Sequence, residues 1–69
     1  MGKETMINPA FKWLRKAAEE GDPDAQCDLA ECYEKGICVI QDPHQAYVWL
    51  QKAAQGGSRM AEWRLGWNG

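Results

Sequence analysis

Trp13-Leu14-Arg15-Lys16-Ala17-Ala18 returns 36 residues later as Trp49-Leu50-Gln51-Lys52-Ala53-Ala54. Sliding the chain by that interval pairs 10–33 with 46–69, and nine of the 24 pairs are identical. They are Ala10/Ala46, Trp13/Trp49, Leu14/Leu50, Lys16/Lys52, Ala17/Ala53, Ala18/Ala54, Gly21/Gly57, Ala25/Ala61 and Leu29/Leu65, with Phe11/Tyr47 a conservative tenth. Ordinary composition gives roughly one or two such matches by chance, so the period is a structural repeat.

The punctuation shares the period. Each proline follows a capping residue, in Asn8-Pro9, Asp22-Pro23 and Asp42-Pro43. An Asn or Asp oxygen accepts from an orphan helix amide, and Pro at the next position loses nothing by lacking N–H. Gln45, three residues after Asp42, is placed to complete a capping box. Gly21, Gly36 and Gly56 stand where helices should stop, since glycine takes the left-handed conformation freely. The expected helices span about 9–20, 23–35, 43–55 and, after Ser58, 59–67.

Within them the apolar residues recur at helical spacing. Ala10, Trp13, Leu14, Ala17 and Ala18 share one face, as do Ala46, Trp49, Leu50, Ala53 and Ala54. Ala25, Leu29 and Tyr33 step by four, and Ala61 and Leu65 do the same. The expected core is Trp13, Leu14, Leu29, Tyr33, Trp49, Leu50 and Leu65. Ile37-Cys38-Val39-Ile40 has strand composition, but an isolated strand has no partner, so it reads as an apolar loop folded over the helix pair. The fold class is all-α.

The periodic residues resemble the Sel-one-like repeat, a relative of the tetratricopeptide repeat. The matching positions are Ala25, Leu29, Tyr33, Gly36, Val39, Asp42, Ala46, Trp49, Lys52, Ala53, Ala54 and Gly57. Ala30 departs from the family glycine after Leu, adding a methyl group where two helices should touch. Cys38 departs from a loop glycine and leaves the loop less free to turn. The resemblance implies a short α-solenoid of antiparallel helix pairs, about four helices in B-A-B-A order. The expected organisation is an N-terminal extension over 1–7 and a repeat domain over 8–69. That domain divides into a half repeat (8–21), a full repeat (22–57) and a truncated repeat (58–69).

Size and charge narrow the function. A chain of 69 residues and 7.8 kDa holds one domain. Eight Lys and Arg against ten Asp and Glu give a net charge of −2, which argues against nucleic acid and anionic membranes as partners. The longest apolar stretch found, Ile37 to Ile40, is far too short to span a bilayer. Met1 to Met6 lacks the apolar core of a secretory signal and misses the myristoylation pattern. With an odd count of three cysteines, the expected setting is reducing and cytoplasmic.

Residues for catalysis are few. His44 is the single histidine and falls in the first turn of a helix, where the dipole disfavours its charged form. Gly56-Gly57 is a helix exit rather than a phosphate cradle, and Ser58, the one serine, stands at an N-cap. The expectation is a non-enzyme that needs no cofactor. Cys27, Cys32, Cys38 and His44 do present four zinc-ligand types in the spacing C-x4-C-x5-C-x5-H. Residues five apart on a helix diverge by about 140°, so Cys27 and Cys32 cannot share a metal while that helix stands, and no metal is expected. The same divergence rules out a Cys27–Cys32 disulfide. Cys32 is expected beside Ala25 and Leu29 in the core, with Cys27 facing outward.

The surface remains. Asp24, Cys27, Asp28, Glu31 and Glu34 gather opposite Ala25, Leu29 and Tyr33. By resemblance to tetratricopeptide-like solenoids, the A helices line a concave groove that receives a partner. The candidate partner-binding residues are therefore Asp24, Asp28, Glu31 and Glu34, with Trp63 and Trp67 beside them. The two tryptophans either cap the end of the core or dock another chain, because Trp dominates interface energetics. An acidic groove favours a basic segment. The expected function is a non-catalytic protein–protein interaction module, acting as adaptor, regulator or inhibitor. The alternative is a self-assembling repeat protein in which identical chains supply each other's missing neighbour, and a small zinc domain is the third.

Overall fold

The computed structural model describes residues 9–66. They form four helices: α1 (Pro9–Glu19), α2 (Pro23–Lys35), α3 (Pro43–Gln55) and α4 (Arg59–Leu65). No strand occurs among the described residues. α2 packs on both α1 and α3, and α4 packs on α3, giving the B-A-B-A succession of helix pairs.

The capping chemistry sets the boundaries. Asp22 Oδ1 accepts from the amides of Asp24 (3.0 Å) and Ala25 (3.4 Å). Asp42 Oδ1 accepts from His44 (3.1 Å) and Gln45 (3.2 Å), and Ser58 Oγ from Ala61 (3.2 Å). Each oxygen satisfies amides that have no partner within the first turn. Proline occupies N1 of α2 and α3.

The turn from α1 to α2 recurs in detail from α3 to α4. Glu20 and Gly56 donate to Lys16 and Lys52, both at 3.0 Å. Gly21 and Gly57 donate to Ala18 and Ala54, both at 3.1 Å, with φ of 101° and 102°. Asp22 and Ser58 then donate back to Ala17 and Ala53, closing the last helical carbonyls. The left-handed position at the end of α3 is thus Gly57, whereas Gly56 has φ −83°, correcting the expectation for Gly56. Gly56 stands in a crowded place: a Cβ there would lie 3.1 Å from Pro23 Cγ of α2. Glu20, one period earlier, is exposed and free to be large.

Two apolar clusters follow the period. Ala18, Ala25 and Leu29 are buried between α1 and α2, with Phe11, Leu14, Ala17, Tyr33 and Trp49 packed against them. Cys27, Ala53, Ala54 and Ala61 form the second cluster, flanked by Leu50 and Leu65. Trp13, expected in the core, is 73 % exposed. Its repeat mate Trp49 leans on α1 and α2, and no described element precedes α1 to serve Trp13 the same way.

The cysteine assignment is also corrected. Cys27 is buried at 7 % exposure, because Ala53 and Ala54 of α3 gather with Ala61 of α4 on that side of α2, and Cys32 is half-buried. In the loop, Val39 is half-buried but Ile40 is 89 % exposed and Ile37 is exposed too. The loop therefore covers the helices only in part. It is tied back by Asp42 N–H to the Tyr33 carbonyl (2.9 Å) and by Gln41 Nε2 to the Glu34 carbonyl (2.7 Å). Cys38, in the family glycine's place, adopts φ 65°, a conformation that costs an L-residue roughly 1–2 kcal/mol.

α4 stops at Leu65 because Gly66 turns left-handed at φ 79°. Ala30 holds the same repeat position in α2 and lets that helix run on to Lys35. The helix is therefore shorter than the expected 59–67, and residue 67 itself lies outside the described residues.

Candidate functional site

α2 and α4, the two A-type helices, lie side by side. Cys27 of α2 sits among Ala53, Ala54 and Ala61, and Arg64 of α4 forms an ion pair with Glu34 of α2. Ala53 and Ala54 of α3 fill much of the space between them, packed with Cys27, and Asp24, Asp28 and Glu34 of α2 remain exposed.

Among those charges the structure makes distinctions that spacing cannot. Glu31 accepts from Lys35 Nζ at 2.8 Å, one helical turn away. That hydrogen bond and the lysine charge hold the Glu31 carboxyl below its ordinary range. Glu34 is matched by Arg64. Asp24 and Asp28 are exposed and have no cation partner among the described residues. Desolvation against the helix surface raises the Asp28 carboxyl, and Glu31, Asp24 and Asp22 raise it further. The unneutralised part of the acidic face is therefore Asp24 and Asp28.

The aromatic half of the set is divided. Trp63 is 77 % exposed, so it does not close over the core. It occupies on α4 the repeat position that Cys27 holds on α2, at the C-terminal end of the helix stack. Trp67 lies outside the described residues. Sequence reasoning missed Arg64, whose cation enters the acidic set. Asp28 stands at Arg64's repeat position, so the period does carry a signal that this site on α4 faces the same way. It missed as well a cleft of about 220 Å³ bordered by Ala30, Glu34, Ala46, Tyr47, Leu50 and Arg64.

Of the residues weighed for chemistry, Ser58 lies beside Cys27 and Cys38 near Cys32, and His44 stands apart from them. Ser58 is buried and its oxygen caps α4, and His44 is exposed at the start of α3. Burial pushes the Cys27 thiol up, an effect that the Arg64 charge opposes. Cys32 is also raised, chiefly by desolvation, while Cys38 lies exposed in the loop. No group of three or more candidate metal ligands occurs among the described residues. No helix among them is long and apolar enough to cross a membrane.

Comparison with known proteins agrees with the helical period. Residues 8–22 and 23–58 match the Sel1 repeat model. Over 47 residues the chain is 40 % identical to the chitin synthase regulator SKT5 of Saccharomyces cerevisiae. That match covers 68 % of this chain and 7 % of the regulator, so the chain spans a small part of that relative's length. No solved structure matches it significantly. Sel1 repeats are helical, tetratricopeptide-like units that generally serve as protein–protein interaction modules. With the family model matched over most of the sequence, and the helix pairs, turns and spacing to go with it, the chain belongs to the Sel1 repeat family.

Proposed function

We propose that this chain is a non-catalytic interaction module that binds a basic segment of a partner protein along α2. The observation that carries the reading is the pair Asp24 and Asp28, two exposed carboxylates one turn apart with no cation partner among the described residues. Like charges hold each other at a cost, and a Lys or Arg side chain laid between them relieves it. Glu31 and Glu34 flank the pair and, exchanging Lys35 and Arg64 for a ligand's cations, extend the contact. Trp63 and Trp67 would add apolar anchoring at the end of the face. An adaptor, regulator or inhibitor role in the cytoplasm fits such a surface, as does kinship with a protein named as a regulator.

The test is capture from a native-host lysate in reducing buffer, comparing the wild type with the Asp24→Lys/Asp28→Lys double variant. Both substitutions fall on exposed helix positions, so circular dichroism should be unchanged. A protein retained by the wild type and lost from the variant, with retention falling steeply as salt is raised, supports the reading. Equal capture by both proteins overturns the α2 face as the binding surface.

A further inference from the structure

At the C-terminal end of α2 the chain folds back and brings two of its cysteines together. Gly36, left-handed at φ 72°, and Ile37 both donate their amides to the Cys32 carbonyl, Ile37 at 2.9 Å. Cys38 follows directly and is itself left-handed at φ 65°. The loop is pinned again further on, by Asp42 N–H to the Tyr33 carbonyl and Gln41 Nε2 to the Glu34 carbonyl. Held at both ends against the last turns of α2, it keeps the exposed Cys38 beside the half-buried Cys32. Desolvation raises the Cys32 thiol, and the neighbouring Cys38 thiol raises it further. Cys27 is sequestered from both, buried with Ala53, Ala54 and Ala61.

The surface that Cys38 faces is cationic. A cleft of about 400 Å³ runs between the loop and α1, bordered by Phe11, Lys12, Arg15, Lys16, Cys38 and Val39. Glu19 holds Arg15 at 3.1 Å, whereas Lys12 and Lys16 have no carboxylate partner among the described residues. Two free ammonium groups, an apolar floor and an exposed sulfur suit a small disulfide that carries carboxylates.

We propose that Cys38 and Cys32 are a redox pair, which glutathione disulfide received in this cleft converts to an intramolecular disulfide. The Cys38 thiolate attacks one sulfur of the glutathione disulfide, forming a mixed disulfide and releasing one glutathione thiolate. Cys32 then attacks the Cys38 sulfur as its thiolate and expels the second glutathione. Two protein thiols give up two electrons and two protons, and one glutathione disulfide becomes two glutathione thiols. The new bond staples the loop to α2 across a junction that hydrogen bonds already hold. Neither step involves Asp24 or Asp28, so the pair is independent of the basic-segment reading.

Mass spectrometry of the reduced chain, treated with glutathione disulfide and then alkylated, tests the proposal. The wild type should join Cys32 to Cys38 and leave Cys27 to the alkylating reagent. Cys32→Ser should stop with one glutathione on Cys38. Cys38→Ser should react roughly tenfold more slowly, because burial withholds the remaining thiolates. The chain unfolded in urea is the reference: Cys27–Cys32 and Cys32–Cys38 are five and six residues apart, so the two rings close about equally well there. A native product mixture equal to the unfolded one overturns the pairing. So does a wild type that stops at the mixed disulfide, or a Cys38→Ser variant that reacts as fast as the wild type. Lys12→Gln/Lys16→Gln, at two exposed positions, should slow glutathione disulfide several-fold and leave the neutral hydroxyethyl disulfide unaffected. Equal slowing of both reagents, or of neither, overturns the cleft as the place where glutathione disulfide is received.

Discussion

The helix pairs α1–α2 and α3–α4 share a turn almost atom for atom, yet they do not share a core. Asp22 and Ser58 enter their helices at φ/ψ of −73°/112° and −74°/112°, and the glycines before them differ by one degree. Beyond the turn the pairs separate. Leu29 is sealed where Leu65 is not, Trp49 is packed where Trp13 is bare, and Asp28 places a carboxylate where the other pair has the Arg64 cation. Local geometry thus belongs to the repeat, while burial belongs to the position of that repeat in the stack.

The largest test of this contrast is Leu29→Ala against Leu65→Ala. Truncating a sealed leucine costs about 2–5 kcal/mol, close to the whole stability of a domain this small at about 0.05–0.15 kcal/mol per residue. Leu29→Ala should therefore abolish the urea transition, whereas Leu65→Ala should keep a cooperative transition with a lowered midpoint. Equal effects would mean that the second cluster is as well covered as the first. The tryptophans give the next pair. In dilute solution Trp49→Ala should cost about 2–3 kcal/mol in a thermal melt, since the ring is only half-buried. Trp13→Ala should change stability by no more than about 0.5 kcal/mol; a large loss would place Trp13 back in the core.

Two smaller substitutions ask whether one copy can be improved from its relatives. Cys38→Gly relieves a left-handed L-residue in an exposed loop and should add about 0.5–1 kcal/mol. Gln26 Nε2 donates to the Ala18 carbonyl at 2.9 Å, a bond that a Glu62 carboxylate cannot make to Ala54. Glu62→Gln should supply that donor and add about 0.5 kcal/mol, and no gain would show the register of α4 to be looser than that of α2.

Acid titration has the smallest expected effect and concerns α2 alone. Asp28 is raised above the ordinary 3.8, so its charged form is disfavoured in the fold, and that cost is relieved as pH falls through its folded pKa. Glu31 is lowered below 4.5 by Lys35, so its contribution is present above 4.5 and is lost as pH falls through its folded pKa. The two oppose each other. At pH 7 Asp28→Asn should stabilise slightly and Glu31→Gln should cost a few tenths of a kcal/mol, as exposed i,i+4 pairs do. Carboxyl shifts followed by NMR would check both directions.

Most of the fold could be read from residues with local consequences. Asp22, Asp42 and Ser58 cap because their side chains reach amides two or three residues away, and Gly21 turns because it lacks a Cβ, although at the end of α3 the turning residue is Gly57 and not the expected Gly56. The larger errors fell where a distant segment decides. Cys27 lies opposite Leu29 by helical spacing and should face water, but Ala53, Ala54 and Ala61, 26 to 34 residues later, gather around it. Glu34 reads as a free acid until Arg64 arrives from α4. Trp13 reads as core because Trp49 is core, although the element that would bury it is not among the described ones.

The sequence by itself determined the period, the helix limits and the turns, since capping, glycine geometry and 3.6-residue periodicity act over a few residues. Only the tertiary structure decided which of two identical residues is buried and which of four carboxylates stays without a cation. Burial and charge pairing depend on what lies across the interface, and a repeated sequence cannot state which of its copies stands at an end.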